Sequence, residues 1–295
     1  MLLTVTEPVS VGLVGAGPWA SIMHGPMLAA GPETRLAGVW ARRPSAAADL
    51  AAEHGTVAVA SFDELLDGCE AVAFAVPPQV QADLGVRAAK AGKALLLEKP
   101  IALDLAGARR LADAVDEAGV VTQVVLTKRY HPRVREFVAA AAGFPAFGAR
   151  CAYLTGGFRG GIFATPWRLE HGALMDLGPH ALDLLEAALG PIEEIRAAGD
   201  TNRWMELTSV HRGGAVSQVS LSGHVGMEAT VSGIELYGPE GVLALDFATV
   251  DHDDCWPVIR AEFAAAVRAG TPHALDVRRG LELQVLLDRV RTASA

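Results

Sequence analysis

From residue 10 to about 126 the apolar positions gather into short β-rich runs, "SVGLVG", "TRLAGVW", "EAVAFAV", "KALLLE" and "VVTQVVL". Between them lie Ala/Leu-rich segments with helical spacing, "SAAADLAAEHG", "SFDELLDG", "PQVQADLGVRAAKAG" and "DLAGARRLADAVDEAG". Strand and helix in alternation predict βαβ units around a parallel sheet. After residue 149 the strand-like runs "ARCAYLTGG", "EEIRAAG", "WMELTSVH", "AVSQVSLSGH", "TVSGIELYG" and "GVLALDF" follow one another with little but turns between them. One helix, "ALMDLGPHALDLLEAALG", interrupts them, and two more, "VIRAEFAAAVRAG" and "RRGLELQVLLDRVRTA", close the chain. That pattern predicts an α+β domain with a mainly antiparallel sheet. With "RYHPRVREFVAAAAG" as a connecting helix, the expected domains are residues 1–125 and 126–295.

A length of 295 residues fits this division, at roughly 100–200 residues per domain. Hydrophobic residues at 51% and charged residues at 20% describe a globular chain able to bury a core. The formal net charge of −9, with basic residues scattered, argues against nucleic acid or an anionic membrane as partner. Cys69, Cys151 and Cys255 are odd in number, far apart and form no CxxC, so neither a disulfide framework nor a zinc site is expected. "MLLTVTEPVS" lacks a basic segment before a long apolar one, and no run approaches membrane-spanning length. The expected location is the cytoplasm.

"VGLVGAGPWA" places Gly15 and Gly17 directly after the first strand, with Ala20 in the third position of GxGxxG/A. The first glycine permits a tight turn, the second lets backbone approach a pyrophosphate, and the small third residue allows close helix–strand packing. At the first strand of a parallel sheet this predicts a Rossmann dinucleotide-binding domain, although glycines can also merely turn a chain. Pro18 and Trp19 continue the loop, and Val76 and Pro77 stand where the run "EAVAFAV" gives way to the next helix; all join the expected cofactor contacts. The second strand ends in "VWARRP", where Ala41 stands in place of the acid that would accept the ribose hydroxyls of NAD. Arg42 and Arg43 can pair with a 2′-phosphate, so NADP is expected over NAD, with NAD still open.

"LLLEKPIALD" ends a buried strand in Glu98, Lys99 and Pro100. In an open α/β sheet the carboxyl ends of the strands form the ligand crevice, which puts this turn where a nicotinamide would sit. In "MDLGPHALD", Asp176 and His180 are four apart and Asp183 three further, so one helix would place them on one face. Such a face can be mere surface, and a His–Asp pair can bind metal, but no third ligand is indicated and no metal is expected.

With "GAGPWA", "EKP" and "DLGPHALD" in this order, the chain resembles the Gfo/Idh/MocA oxidoreductases over nearly its whole length. The resemblance implies a Rossmann domain followed by an α/β domain whose open sheet often forms the subunit interface, hence a homodimer or homotetramer. It also implies that Lys99, Asp176 and His180 are catalytic, with Glu98 and Lys99 beside the cofactor. Histidine can take a substrate proton while hydride leaves for the nicotinamide, Lys99 can polarise the reacting oxygen, and Asp176 can orient either. The implied activity is interconversion of a secondary alcohol and a ketone on a sugar, polyol or related cyclic substrate. Two alternatives stay open: a glycosidase that redox-cycles a tightly held NAD, and a non-catalytic nucleotide-sensing regulator.

Two departures bear on the substrate. Many members carry a histidine after the fourth strand where "VPPQVQ" has Gln81, and a glycine triplet where this chain has Glu170, His171 and Gly172. Gln81 and His171 would then narrow the substrate pocket or add polar contacts to it. Trp167 and Arg168 read either as a pocket wall and an anion anchor or as a packed indole with a solvated guanidinium, and Arg129 and His131 as candidate substrate contacts. His24 is expected to pack or meet solvent. Gln218, Ser220 and Ser222 share one face of a strand, small and polar, which permits a sheet-to-sheet interface.

Overall fold

A computed structural model describes residues 7–293; the extreme N-terminus, on which the targeting expectation rests, lies outside the described residues. The chain divides into two compact units. The first is built on a five-stranded sheet of order β2-β1-β3-β4-β5, all parallel. Its strands are β1 (Val9–Val14), β2 (Thr34–Trp40), β3 (Ala71–Phe74), β4 (Ala94–Glu98) and β5 (Thr122–Val125). All but β2 are buried at every position, as sheets covered on both faces require. Between the strands run a π-helical turn (Ala20–His24) leading into α1 (Gly25–Ala29), then α2 (Pro44–Glu53), α3 (Phe62–Asp67), α4 (Pro78–Lys90) and α5 (Leu105–Ala118). Side-chain caps fix two of the starts: Ser61 accepts the Glu64 amide and Asp104 the Gly107 amide, as the sequence around each suggests.

The second unit opens with a 3₁₀ turn (Thr127–Tyr130) and α6 (Pro132–Ala141), so the connecting segment is not one helix from Arg129 onward. Pro132 explains the late start: it disfavours helical backbone at His131, which instead caps α6 by accepting the Arg133 amide on Nδ1. A six-stranded sheet follows, of order β11-β10-β6-β9-β8-β7. It comprises β6 (Gly148–Leu154), β7 (Ile192–Asp200), β8 (Trp204–His211), β9 (Val216–Ser222), β10 (Val231–Gly238) and β11 (Gly241–Asp246), with only β6 and β9 paired in parallel among the described strands. Helices α7 (Pro166–Asp176) and α8 (Gly178–Leu189) replace the single helix expected. On β9, Gln218 is exposed and Ser220 partly so, whereas Ser222 turns inward, donating to Arg203 O and accepting the His224 amide.

Two helices end the chain, α9 (Trp256–Ala269) and α10 (Val277–Ala293). The expectation that everything after residue 125 forms one domain is corrected here: Trp256–Leu281 belongs with the first unit, and only the chain from Glu282 onward with the second. Hydrogen bonding supplies the reason. β5 is the last strand of its sheet, and its open edge is satisfied by Val124 N donating to Leu275 O and by Thr122 Oγ1 accepting from Val277 N. Gln123 donates to Ile259 O, and Arg260 of α9 pairs with Glu33. Among the described residues no helix is long and apolar enough to cross a membrane.

Candidate active site

In the first unit the glycine loop leaves β1 between the carboxyl ends of β1 and β3, where the chain's strand order reverses direction. Gly15 has φ +115°, and a Cβ there would lie 2.3 Å from Ala75 O and 3.1 Å from Val76. No other residue fits that turn without strain. Gly17 has nothing within 4 Å of where its Cβ would be. An obligatory glycine at the turn and open space at the next one fit a dinucleotide whose pyrophosphate lies against the loop. Ala41 is half-buried after β2, while Arg42 and Arg43 are exposed, and neither guanidinium has a side-chain hydrogen bond among the described residues. Pro18 and Pro77 are exposed and Val76 half-buried, near the ends of β1 and β3.

Glu98, Lys99 and Pro100 follow directly from the carboxyl end of β4, on the same edge of the sheet as the glycine loop. The Glu98 carboxylate is buried, and its Oε1 accepts from the Trp19 indole at 2.7 Å and pairs with His24 Nε2 at 2.8 Å. Trp19 therefore hands its N–H to the protein, and its ring meets Trp256 edge-on at 6.0 Å. His24 neither meets solvent nor simply packs. It is fully buried at the end of the π-turn, with Nδ1 lacking a hydrogen-bond partner among the described residues, so Nε2 carries the proton given to Glu98.

Gln81 is likewise corrected. It does not line a pocket: it is fully buried in α4, and its amide bonds the backbone of residues 98–101. The sequence reading placed it toward the substrate because it stands where many members of the resembled family carry a histidine; only the packing of α4 on β4 shows otherwise. Lys99 is half-buried.

In the second unit Asp176 ends α7 and His180 lies in the first turn of α8, with Leu177 between the two helices still in right-handed helical backbone. Gly172 has φ +68°, where a Cβ would lie 2.3 Å from Thr201 O, and it breaks α7. Thr201 repairs the break by accepting from Ala173 N on its carbonyl and from Leu174 N on its hydroxyl, which itself donates to His171 O. Past Asp176 the helical ladder is interrupted again, because Pro179 has no N–H to give. Asp176, at the end of α7, accepts on its Oδ2 from Arg168 Nε at 2.9 Å. Arg168 lies over the Trp167 ring at 4.9 Å and the Phe163 ring at 5.7 Å. The arginine expected to anchor an anion is already matched to a carboxylate, which removes most of its pull on a second charge.

His180 is half-buried at the start of α8. Asp183, one turn on, is buried and accepts from Arg129 Nη1 at 2.9 Å, so Arg129 joins that helix rather than standing open. His171 is half-buried and no nearer than 3.9 Å to Glu170. The structure adds a residue the sequence reading passed over: Lys128 is buried, with Nζ 5.2 Å from the Tyr153 ring and 4.8 Å from the Phe247 ring. A lysine just past a strand that ends on the ligand edge of a parallel sheet was the available signal. Burial, then the Asp176 carboxylate, push the Tyr153 hydroxyl up. Burial pushes the Cys151 and Cys255 thiols to about 12. Neither thiol is a nucleophile near neutrality.

Residues 9–126 match the family model described as "Oxidoreductase family, NAD-binding Rossmann fold", and residues 148–244 match the "GFO/IDH/MocA C-terminal domain". The chain is 30% identical over 264 residues to the dTDP-3,4-didehydro-2,6-dideoxy-alpha-D-glucose 3-reductase of Streptomyces violaceoruber, covering 85% of this chain and 77% of that one. It is 31% identical over 170 residues to the UDP-N-acetylglucosamine 3-dehydrogenase of Acidithiobacillus ferrooxidans, covering 56% of this chain and 51% of that one. Among solved structures, GenD2 from gentamicin A biosynthesis, in complex with NAD, superposes with a TM-score of 0.88 at 24% identity, covering 99% of this chain and 95% of that one. The chain belongs to the Gfo/Idh/MocA family of oxidoreductases, with an NAD-binding Rossmann domain at its N-terminal end.

Proposed function

We propose that the protein is an NADP(H)-preferring oxidoreductase that interconverts a secondary alcohol and a ketone on a sugar ring, with Lys99, Asp176 and His180 as its reacting residues. The observation that carries the reading is the Glu98-Lys99-Pro100 turn at the carboxyl end of β4, held on the same sheet edge as the glycine loop. The relatives supply the substrate class, because the two named above act, by name, on ring positions of nucleotide-linked sugars.

Nicotinamide, when bound, supplies the hydride acceptor or donor. Gly17, past the turn that Gly15 makes, would leave room for the pyrophosphate, and Arg42 and Arg43 would receive the 2′-phosphate that Ala41 does not repel. Lys99 donates a hydrogen bond to the reacting oxygen of the substrate, His180 holds or returns its proton, and Asp176 orients the hydroxyl. A positioned imidazole suits this work because it exchanges protons near neutrality.

The three buried, unpaired cysteines are compatible with work in the cytoplasm. Trp204, Val216 and Val242 lie exposed on the six-stranded sheet, and we assign that face to a homodimer or homotetramer. Fluorescence titration with NADPH and NADH tests the cofactor assignment. A charged pair with the 2′-phosphate is worth about 1.5–3 kcal/mol, so NADPH should bind roughly tenfold to a hundredfold tighter. Ala41→Asp should reverse the order, and equal or tighter NADH binding by the wild type would refute the preference. A screen of nucleotide-linked and free sugars against both cofactors, read by the absorbance of reduced nicotinamide, tests the substrate class.

A further inference from the structure

Among the described residues every hydrogen bond of the Gln81 side chain goes to the backbone on either side of Lys99. Its amide nitrogen donates to Glu98 O at 2.8 Å, Ile101 O at 3.2 Å and Pro100 O at 3.3 Å, two hydrogens shared among three carbonyls. Its oxygen accepts from Glu98 N at 2.8 Å. The side chain is fully buried. On the β3 side the pairing of β4 stops at Leu96, while on the β5 side it runs on to Glu98. Gln81 therefore takes over where one of the two ladders has ended, two residues before the chain leaves the sheet. Volume alone would be filled as well by methionine or leucine, without the cost of burying an amide. Every bond that repays that cost goes to one four-residue segment, and Lys99 is the one member of that segment that Gln81 does not bond directly.

We propose that Gln81 is a positioning residue: it fixes the backbone that carries Lys99 and so sets where the ammonium group stands. The inference rests on the assignment of Lys99 to the reacting end of the cofactor. Trp19 and His24 hold the Glu98 side chain while Gln81 holds the backbone, so the segment is fixed from two sides.

The chain has four lysines, Lys90, Lys93, Lys99 and Lys128, which makes their reactivity separable. Competitive acetylation with acetic anhydride, read lysine by lysine by mass spectrometry across pH, needs no knowledge of the substrate. It is run on the whole chain without cofactor and with saturating NADPH or NADH, whichever binds more tightly. Lys90, exposed at the end of α4, serves as the internal standard. In the wild type, cofactor should slow acetylation of Lys99 relative to Lys90.

Gln81→Met keeps the volume and removes all four bonds, and Gln81→Glu sets an oxygen against three carbonyls. Both should bind cofactor nearly as the wild type does. Both should lose about tenfold in Lys99 protection, the equivalent of one buried hydrogen bond, and should shift the pH midpoint of Lys99 acetylation while that of Lys90 stays put. Should either variant fail to fold, Gln81→Asn, one methylene too short to reach the whole segment, takes its place. A lower melting temperature with Lys99 protection and midpoint unchanged would show Gln81 to be packing only, and would overturn the proposal. If Lys99 of the wild type gains no protection, the assignment of Lys99 to the reacting end fails instead. The cofactor-free pH midpoint then still decides whether Gln81 positions it.

Discussion

In the first unit the segment that carries Lys99 is held by an uncharged amide and the backbone, whereas in the second unit Asp176 is held by a cation and by a helix broken at Gly172. The two arrangements respond differently to damage. A neutral clamp that is removed leaves backbone groups short of partners at about 1–3 kcal/mol. A nearly buried ion pair that loses one member leaves a charge behind, and the remedy is to remove the second charge as well. The difference also separates what a loop can tolerate: the turn after β4 is over-determined by neighbours from α4 and the glycine loop, while the turn before α8 depends on Thr201 and Arg168.

The largest expected effects fall on the groups proposed to react. His180→Ala should lower turnover by about 10²–10⁴, the usual loss for a positioned acid–base group, and Lys99→Ala by about 10²–10³ through loss of a donor to developing charge. Both should leave cofactor affinity within a few-fold, measured by fluorescence titration. Substrate oxidation that survives both replacements near the wild-type rate would overturn the proposed roles of Lys99 and His180.

Next in size is the helix break. Gly172→Ala must hold a φ of +68° and place its Cβ against Thr201 O, which should cost about 2–4 kcal/mol in denaturant unfolding. No glycine in the first unit's Lys99 turn offers a comparable test, so a variant as stable as the wild type would show that the break is not needed to place Asp176.

The ion pair itself sharpens the contrast. Arg168→Met should destabilise the protein by about 2–3 kcal/mol, less than for a fully buried pair because both groups keep some solvent. Adding Asp176→Asn should return most of that loss, since the stranded charge goes with it. For Gln81→Met no second replacement exists that would do the same. If the double variant is no more stable than Arg168→Met alone, Asp176 is not held by charge.

How much of this was legible follows the same line. The parallel sheet, its helices and the glycine loop could be read because each is dictated by local pattern: apolar runs, caps such as Ser61 and Asp104, and a glycine whose φ admits nothing else. The Lys99 turn was found by its place at a strand end. What escaped was set by distant partners. Gln81 lies 17 residues before Glu98 and reads as surface until α4 is laid on β4. His24 lies 74 residues from the carboxylate it serves. Pro179 could have warned of the interruption between α7 and α8, yet the Ala/Leu spacing around it outweighed it. The return of α9 to the first unit is carried by Arg260, Arg268 and the edge of β5, none of which has a sequence signature.

That return gives the smallest and most local expectation. The Glu70 carboxyl at the start of β3 is held down at about 2, chiefly by the Arg268 guanidinium of α9 and, against the opposing effect of burial, by the Ser10 amide and hydroxyl. A folded-state value below the ordinary 4.5 means that the unfolded chain binds the proton more readily. The pair therefore stabilises the fold fully above pH 4.5, and its contribution is lost as pH falls from there toward about 2. The side chains of Glu70 and Arg268 are 45% and 33% exposed, so solvent screening reduces the contribution to about 1 kcal/mol. Glu70→Gln should lower stability by that amount at neutral pH and by progressively less through this acid window, measured as the difference between wild-type and variant unfolding curves. A difference that stays constant across the window would mean that α9 is held by its apolar face and its edge bonds to β5, with no share from Arg268.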